Sequence, residues 1–169
     1  MRALTVGFPK SGNHALVKAV QLLGVPCEVS HEPFTVDVPA VFIKRDPRNI
    51  VTSWVRHVGQ PVTPGMVMTH LRDFEGQTLA EAMAPYEGWL TAPSALVVRY
   101  EDLTASDAAM RRIAAHLGVD YVDGAWEWLP GMTRTWHPEH SDWTRVWTPQ
   151  VQAVFDEIGG PALLERWGY

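Results

Sequence analysis

The feature that most constrains this chain lies near its N-terminus, where residues 5–14 read TVGFPKSGNH. An apolar β-type run leads into a short loop that contains Gly7, Lys10 and Gly12, and a helical pattern follows at once. The first N–H groups of a helix have no intrahelical partner, and the helix dipole adds partial positive charge at that end. Together with the charge of Lys10, this arrangement predicts a binding loop for phosphate or sulfate.

The loop differs from the P-loop of nucleotide kinases at two positions. That loop has the pattern G-x-x-x-x-G-K-[ST], in which the lysine reaches the outer phosphates and the hydroxyl binds magnesium. Gly7 and Gly12 have the required separation, but Asn13 and His14 stand at the lysine and hydroxyl positions. The lysine of this chain, Lys10, lies inside the loop. The sequence therefore disfavours a magnesium-dependent kinase.

The rest of the chain alternates between strand and helix patterns. Apolar β-type runs occur at residues 3–8, 27–31, 40–44 and 95–100. Asp46-Pro47 and the capping box at residues 78–81 predict two helix starts, whereas residues 120–147 have no regular pattern. The alternation predicts an α/β fold, a P-loop-type three-layer sandwich whose central parallel sheet has about four or five strands and helices on both faces.

Size and charge restrict the class of protein further. A chain of 169 residues is long enough for one domain with a core, and we expect a single domain over residues 1–169. The net charge of −5 argues against binding to nucleic acid or to an anionic membrane surface, since both need basic surface. No run approaches the roughly 20 apolar residues of a membrane span, and the N-terminal run is too short for a signal peptide. We therefore expect a cytoplasmic protein; its oligomeric state stays open.

Polar residues follow the predicted strands, notably Lys10, His31 and Arg45. Ligands of parallel α/β sheets bind at the carboxyl ends of the strands, so these residues are candidates for one site. Arg45 is a permanently charged, fork-shaped donor suited to phosphate, and Ser53, about two turns further along the predicted helix, is placed to share the same anion. By spacing alone, a structural salt bridge for Arg45 and a hydrogen-bonded loop position for His31 are the commoner alternatives.

These motifs resemble those of sulfotransferases that use 3′-phosphoadenosine 5′-phosphosulfate (PAPS). Residues 8–13, FPKSGN, are similar to the family's 5′-phosphosulfate loop, often written PKSGTTW or PKSGNTW. Residues 45–53, RDPRNIVTS, are similar to its 3′-phosphate motif, with Arg45 and Ser53 at the functional positions. Residues 99–103, RYEDL, are similar to its YEDL segment. The resemblance runs from Leu4 to the C-terminus and is weakest in the middle; it implies a short, single-domain member.

The resemblance also implies a reaction. The family transfers a sulfuryl group from PAPS to an acceptor hydroxyl or amine, without a metal, and releases adenosine 3′,5′-bisphosphate (PAP). His31 matches the family's catalytic base in order and context, with His14 as the competing candidate, and Lys10 would stabilise the leaving group. The acceptor, a small molecule or a glycan, is not identified. The residues implied in nucleotide binding are Lys10, Ser11, Gly12, Asn13, His14, Arg45, Ser53 and Tyr100.

The chain departs from the family's pattern near its C-terminus. The family often has R-K-G-x-x-G-x-W there, whereas residues 136–143 read WHPEHSDW, which leaves open whether this segment binds the 3′-phosphate or whether Arg134 or Arg145 substitutes. His137 and His140 are too few for a metal site. This departure and the short length favour an alternative, a non-catalytic nucleotide-binding module. The presence of Lys10 and His31 favours the enzyme, and the missing Gly-Lys-Ser/Thr disfavours the nucleotide kinase.

Overall fold

The structure is a computed structural model that describes residues 2–133 and 142–169. The chain divides into two compact units, Met1–Arg45 with Gly88–His137 and Asp46–Glu87 with Pro138–Tyr169. Arg134, His137, His140 and residues 136–141 of the divergent segment lie outside the described residues. Ten α-helices occur within the described ranges: α1 (Asn13–Leu22), α2 (Pro47–His57), α3 (Pro64–Arg72), α4 (Leu79–Met83), α5 (Gly88–Thr91), α6 (Tyr100–Ala105), α7 (Ala108–Leu117), α8 (Ala125–Met132), α9 (Pro149–Glu157) and α10 (Gly160–Trp167).

The first unit is built on a four-stranded parallel sheet in the order β2-β1-β3-β4. The strands are β1 (Ala3–Gly7), β2 (Cys27–Ser30), β3 (Ala40–Lys44) and β4 (Ala95–Arg99). All four β-type runs found in the sequence are therefore strands, and the predicted α/β class with a central parallel sheet is confirmed. Because the strands are parallel, their carboxyl ends lie along one edge of the sheet.

Helices flank both faces of this sheet. Val41 and Ile43 of β3 belong to a core that α1, α7 and α8 complete with buried side chains. Phe42 points to the opposite face, since side chains alternate along a strand, and it stacks on Trp89 of α5 with 6.3 Å between ring centroids. The predicted three-layer arrangement of helices around a sheet is thus confirmed.

Two parts of the chain differ from the sequence-based prediction. Residues 120–147 were expected to be irregular, but α8 forms there with Pro130 inside it. Leu129 is fully buried in the core, and Trp126 Nε1 donates a hydrogen bond to the Leu103 carbonyl at 2.8 Å. Core packing thus stabilises a helix that its internal proline disfavours. The second difference is at Tyr100, which begins α6 instead of ending β4.

The second unit contains helices whose starts follow the predicted capping signals. Asp46 precedes α2, and its carboxylate accepts a hydrogen bond from the Arg48 backbone N–H at 2.9 Å. Thr78 and Glu81 form a reciprocal capping box at the start of α4. The Arg48 guanidinium pairs with Asp46 at 2.7 Å and lies 3.9 Å from the ring centroid of Trp143.

Within the described ranges, none of the helices has the length and apolar character needed to cross a membrane.

The packing of α8 yields a stability prediction. Leu129→Ala removes a side chain with 0% exposure from the core and should lower the free energy of unfolding by about 2–5 kcal/mol in urea titrations. Trp128→Ala is the matched control on the same helix, because Trp128 is 64% exposed, and it should change stability by less than about 0.5 kcal/mol. Equal losses in the two variants would contradict the observed docking of α8.

Candidate anion-binding site

The loop between β1 and α1 is held closed by its own hydrogen bonds. Ser11 is fully buried, and both its backbone N–H and its hydroxyl donate to the Phe8 carbonyl, at 3.1 and 2.6 Å. The Asn13 side-chain amide donates to the same carbonyl at 3.1 Å and to the Gly7 carbonyl at 3.2 Å. Both donors of Ser11 are therefore used to close the loop, and a ligand would be bound by other groups.

Both glycines of the loop are required by close contacts. A Cβ atom at Gly7 would overlap Asn13 Oδ1 and Ser11 Oγ. Gly12 has φ 109°, in the left-handed region, and a Cβ there would overlap the ring of Tyr100. Lys10 also has a positive φ, 67°, a conformation that costs a lysine about 1–2 kcal/mol and that the loop imposes.

The start of α1 supplies unsatisfied donors beside this loop. The first intrahelical hydrogen bond runs from Leu16 N–H to the Gly12 carbonyl at 3.1 Å. The backbone N–H groups of Asn13, His14 and Ala15 precede it and therefore have no partner within the helix. His14 is exposed on this first turn. These groups and the helix dipole favour an anion at this place.

Arg45 and Tyr100 join the loop from the ends of two other strands. Arg45, which follows β3, is 5% exposed, and its Nη1 donates to the Lys10 carbonyl at 3.0 Å. Its guanidinium lies 4.3 Å from the ring centroid of Tyr100. The same ring covers Gly12. The predicted arginine and tyrosine are therefore brought together with the predicted loop.

Lys10 lies in an electropositive environment. Burial, and then the Arg45 guanidinium, lower the pKa of Lys10 below its ordinary value of 10.5. No carboxylate contributes to this shift among the described residues. A bound anion would counter the repulsion between the two cations, so the charge balance favours an anionic ligand.

His31 approaches the loop from the end of β2. Val6 pairs with Ser30 in the sheet, and His31, the next residue, therefore lies beside Gly7. Its Nδ1 is 3.0 Å from the Gly7 carbonyl oxygen and 3.3 Å from Asn13 Nδ2. Trp89 Nε1 donates to the adjacent Glu32 carbonyl at 3.3 Å, which helps to hold this segment. Sequence reasoning missed both the contact of Asn13 with His31 and this hydrogen bond of Trp89.

Two further residues named in the sequence analysis, Ser53 and Arg145, lie outside the loop. Ser53 is half-buried in α2 of the second unit, and its role in binding a phosphate stays a prediction. Arg145 is exposed and forms an ion pair with Asp142 at 3.4 Å. Among residues 2–133 and 142–169, no three His, Cys, Asp or Glu side chains form a group that could hold a metal ion.

Solved structures with this arrangement of strands and helices include that of a sulfotransferase, so the chain has the sulfotransferase fold that its sequence motifs predict. The crystal structure of mouse sulfotransferase SULT7A1 complexed with PAP matches with a TM-score of 0.71. The match covers 98% of this chain and 83% of that chain at 15% sequence identity. No protein-family model and no curated protein matches the sequence.

The lowered pKa of Lys10 predicts how stability depends on pH. A lysine whose pKa is lower in the folded than in the unfolded protein contributes stability that is present above pH 10.5 and is lost as the pH falls through the folded value. Lys10→Met should therefore raise the free energy of unfolding at pH 7 relative to the wild type, and this gain should shrink towards pH 10.5.

Urea titrations at the two pH values measure this difference. The matched control is Lys18→Met, on α1 outside the loop, which should show no such gain at pH 7. A Lys10→Met variant that is less stable than the wild type at pH 7 would contradict the unfavourable environment inferred for the ammonium group.

Proposed function

We propose that the protein transfers a sulfuryl group from PAPS to a hydroxyl or amine of a small-molecule or glycan acceptor. The observation that carries the proposal is the convergence of the anion loop, Arg45 and His31 at one edge of one sheet. The fold shared with a sulfotransferase and the sequence motifs support the same reaction. The mouse protein was crystallised with PAP, and we extend that ligand to this chain as part of the proposal.

The loop is proposed to bind the 5′-phosphosulfate of PAPS. The free N–H groups at the start of α1 would donate to its oxygens, and the Lys10 ammonium would pair with its charge. Arg45 suits the 3′-phosphate, because contact with the Tyr100 ring and the Lys10 carbonyl fixes its planar fork in orientation. Ser53 is retained as a further ligand of the 3′-phosphate on the sequence motif alone.

His31 is proposed to act as the general base. The acceptor oxygen or nitrogen attacks sulfur in line with the bond to the bridging oxygen, and His31 removes the acceptor's proton as the new bond forms. The bond from sulfur to the bridging oxygen breaks, and its electron pair remains on the phosphate of PAP. Lys10 and the helix N–H groups stabilise that negative charge. In this scheme the protein's own cations neutralise the charge, and no metal takes part.

The first test of the proposal is nucleotide selectivity. Calorimetric titration should show binding of PAP without magnesium, and weaker binding of ATP with magnesium, because Asn13 and His14 replace the lysine and hydroxyl of the kinase loop. Arg45→Gln should weaken PAP binding by about tenfold to a hundredfold through loss of charged hydrogen bonds. Arg48→Gln is the matched control, because Arg48 pairs with Asp46, and should bind PAP as the wild type does. Tight binding of ATP with magnesium and none of PAP would contradict the proposal.

The second test is turnover. Radiolabelled PAPS incubated with phenol, sugar and amine acceptors should yield labelled product, and His31→Ala should reduce the rate by about 10²–10⁴-fold while PAP binding stays near the wild-type value. His116→Ala, an exposed histidine of α7, is the control and should retain full activity. Full activity of His31→Ala would exclude His31 as the base. Binding of PAP with no transfer to any acceptor would favour the non-catalytic module.

A further inference from the structure

We propose that Gly88, Trp89 and Phe34 are positioning residues that hold His31 beside the anion loop. His31 is the first residue of the β2–β3 connector, residues 31–39, which contains no helix and no strand. The path of the connector is therefore set by its contacts with other parts of the chain. The catalytic meaning of the inference rests on the proposed function, since it concerns the placing of the proposed base.

The residues on both sides of His31 are held by hydrogen bonds. Ser30 is paired with Val6 in the sheet. The Glu32 backbone N–H donates to Ser30 Oγ at 3.0 Å, and the Glu32 carbonyl accepts from Trp89 Nε1 at 3.3 Å. The main chain before and after His31 is thus constrained, and Trp89 supplies one of these constraints.

Trp89 is itself held against the middle of the sheet. It is buried, and its ring stacks on Phe42 of β3. Val6 pairs with both Ser30 and Phe42, so these three residues form one row across the sheet and their side chains share a face. The indole therefore joins a central strand to the connector that follows the edge strand β2.

Phe34 packs against the same tryptophan and against Gly88. Its ring meets that of Trp89 edge-on, with 5.1 Å between centroids. A Cβ atom at Gly88 would overlap the Phe34 ring and would lie 2.8 Å from the Phe34 Cβ. Rotation of the ring cannot move that Cβ atom, so a larger residue at position 88 must displace the main chain three residues after His31.

The far end of the connector is held by the same stretch of chain, residues 88–94. The Asp37 carboxylate accepts hydrogen bonds from the Ser94 backbone N–H and hydroxyl, both at 3.2 Å. These contacts lie outside the anion loop and Arg45, to which the nucleotide is proposed to bind. A displaced connector should therefore move His31 and leave nucleotide binding in place.

Gly88→Ala is the direct test, because Gly88 does not have a positive φ and an alanine there disturbs the packing of Phe34. In ¹H–¹³C spectra, the His31 imidazole signal, assigned by its loss in His31→Gln, should shift in Gly88→Ala. Gly65→Ala is the matched control: its Cβ would lie 3.9 Å from Thr63 Oγ1, an ordinary contact, and the His31 signal should stay in place. An unchanged His31 signal in folded Gly88→Ala would overturn the proposal, and this measurement needs neither PAPS nor an acceptor.

Phe34→Ala changes the same contact from the side of the connector. It removes the ring that packs on Trp89 and should also shift the His31 signal. Val36→Ala, in the same connector, is its control, because Val36 is 60% exposed, and should leave the signal unchanged. Thermal unfolding checks that the variants are folded; if Gly88→Ala is not, Phe34→Ala decides, and an unchanged His31 signal there would overturn the proposal.

Kinetics separate positioning of the base from a general loss of structure. If the wild type transfers sulfuryl groups, Gly88→Ala should lower kcat by at least about tenfold, with less than about threefold change in KM for PAPS and in PAP affinity. A comparable loss of PAP affinity, or an unchanged kcat, would overturn the positioning role. A shifted His31 signal in a protein that shows no transfer to any acceptor would instead count against the proposed function and leave the placing of His31 by these residues standing.

Discussion

The rest of the site depends on the hydrogen bonds that the Phe8 carbonyl accepts. This carbonyl accepts hydrogen bonds from the Ser11 backbone N–H, the Ser11 hydroxyl and the Asn13 amide. Phe8 is 2% exposed, so packing fixes the residue that carries this carbonyl. These bonds close the loop, set the point at which α1 begins and place the Asn13 amide next to His31. A change in the backbone at Phe8 would therefore displace the anion site and the histidine together.

The loop holds its functional groups in an unfavourable arrangement. Lys10 has a left-handed backbone conformation, and its ammonium is half-buried near the Arg45 guanidinium. Neither feature stabilises the folded protein without an anion. The surrounding contacts compensate, since Ser11 closes the loop and the Tyr100 ring covers both Gly12 and Arg45. This is the balance expected of a binding site, where stability is lowered locally for the sake of ligand binding.

Local signals predicted much of the fold, and long-range packing accounts for what they missed. The helix starts after Asp46 and Thr78 are encoded by side chains that bond their own helix, so the sequence alone reveals them. The helix at 125–132 escaped prediction because Pro130 disfavours it locally, and long-range contacts, the burial of Leu129 and the hydrogen bond of Trp126 to the Leu103 carbonyl, explain it. The site residues were found by motif resemblance, but the contact of Asn13 with His31 depends on how β1 and β2 pair, which no local pattern specifies.

The strand order explains why the proposed roles of His31 and Arg45 are compatible. β1 lies between β2 and β3, and the loop that follows β1 therefore has His31 on one side and Arg45 on the other. An in-line displacement at sulfur needs the nucleophile and the leaving group on opposite sides of the transferred group. On the proposed function, the acceptor would enter from the side of β2 and the nucleotide would extend towards β3. The topology of the sheet would thus provide the separation of base and nucleotide that the proposed reaction requires.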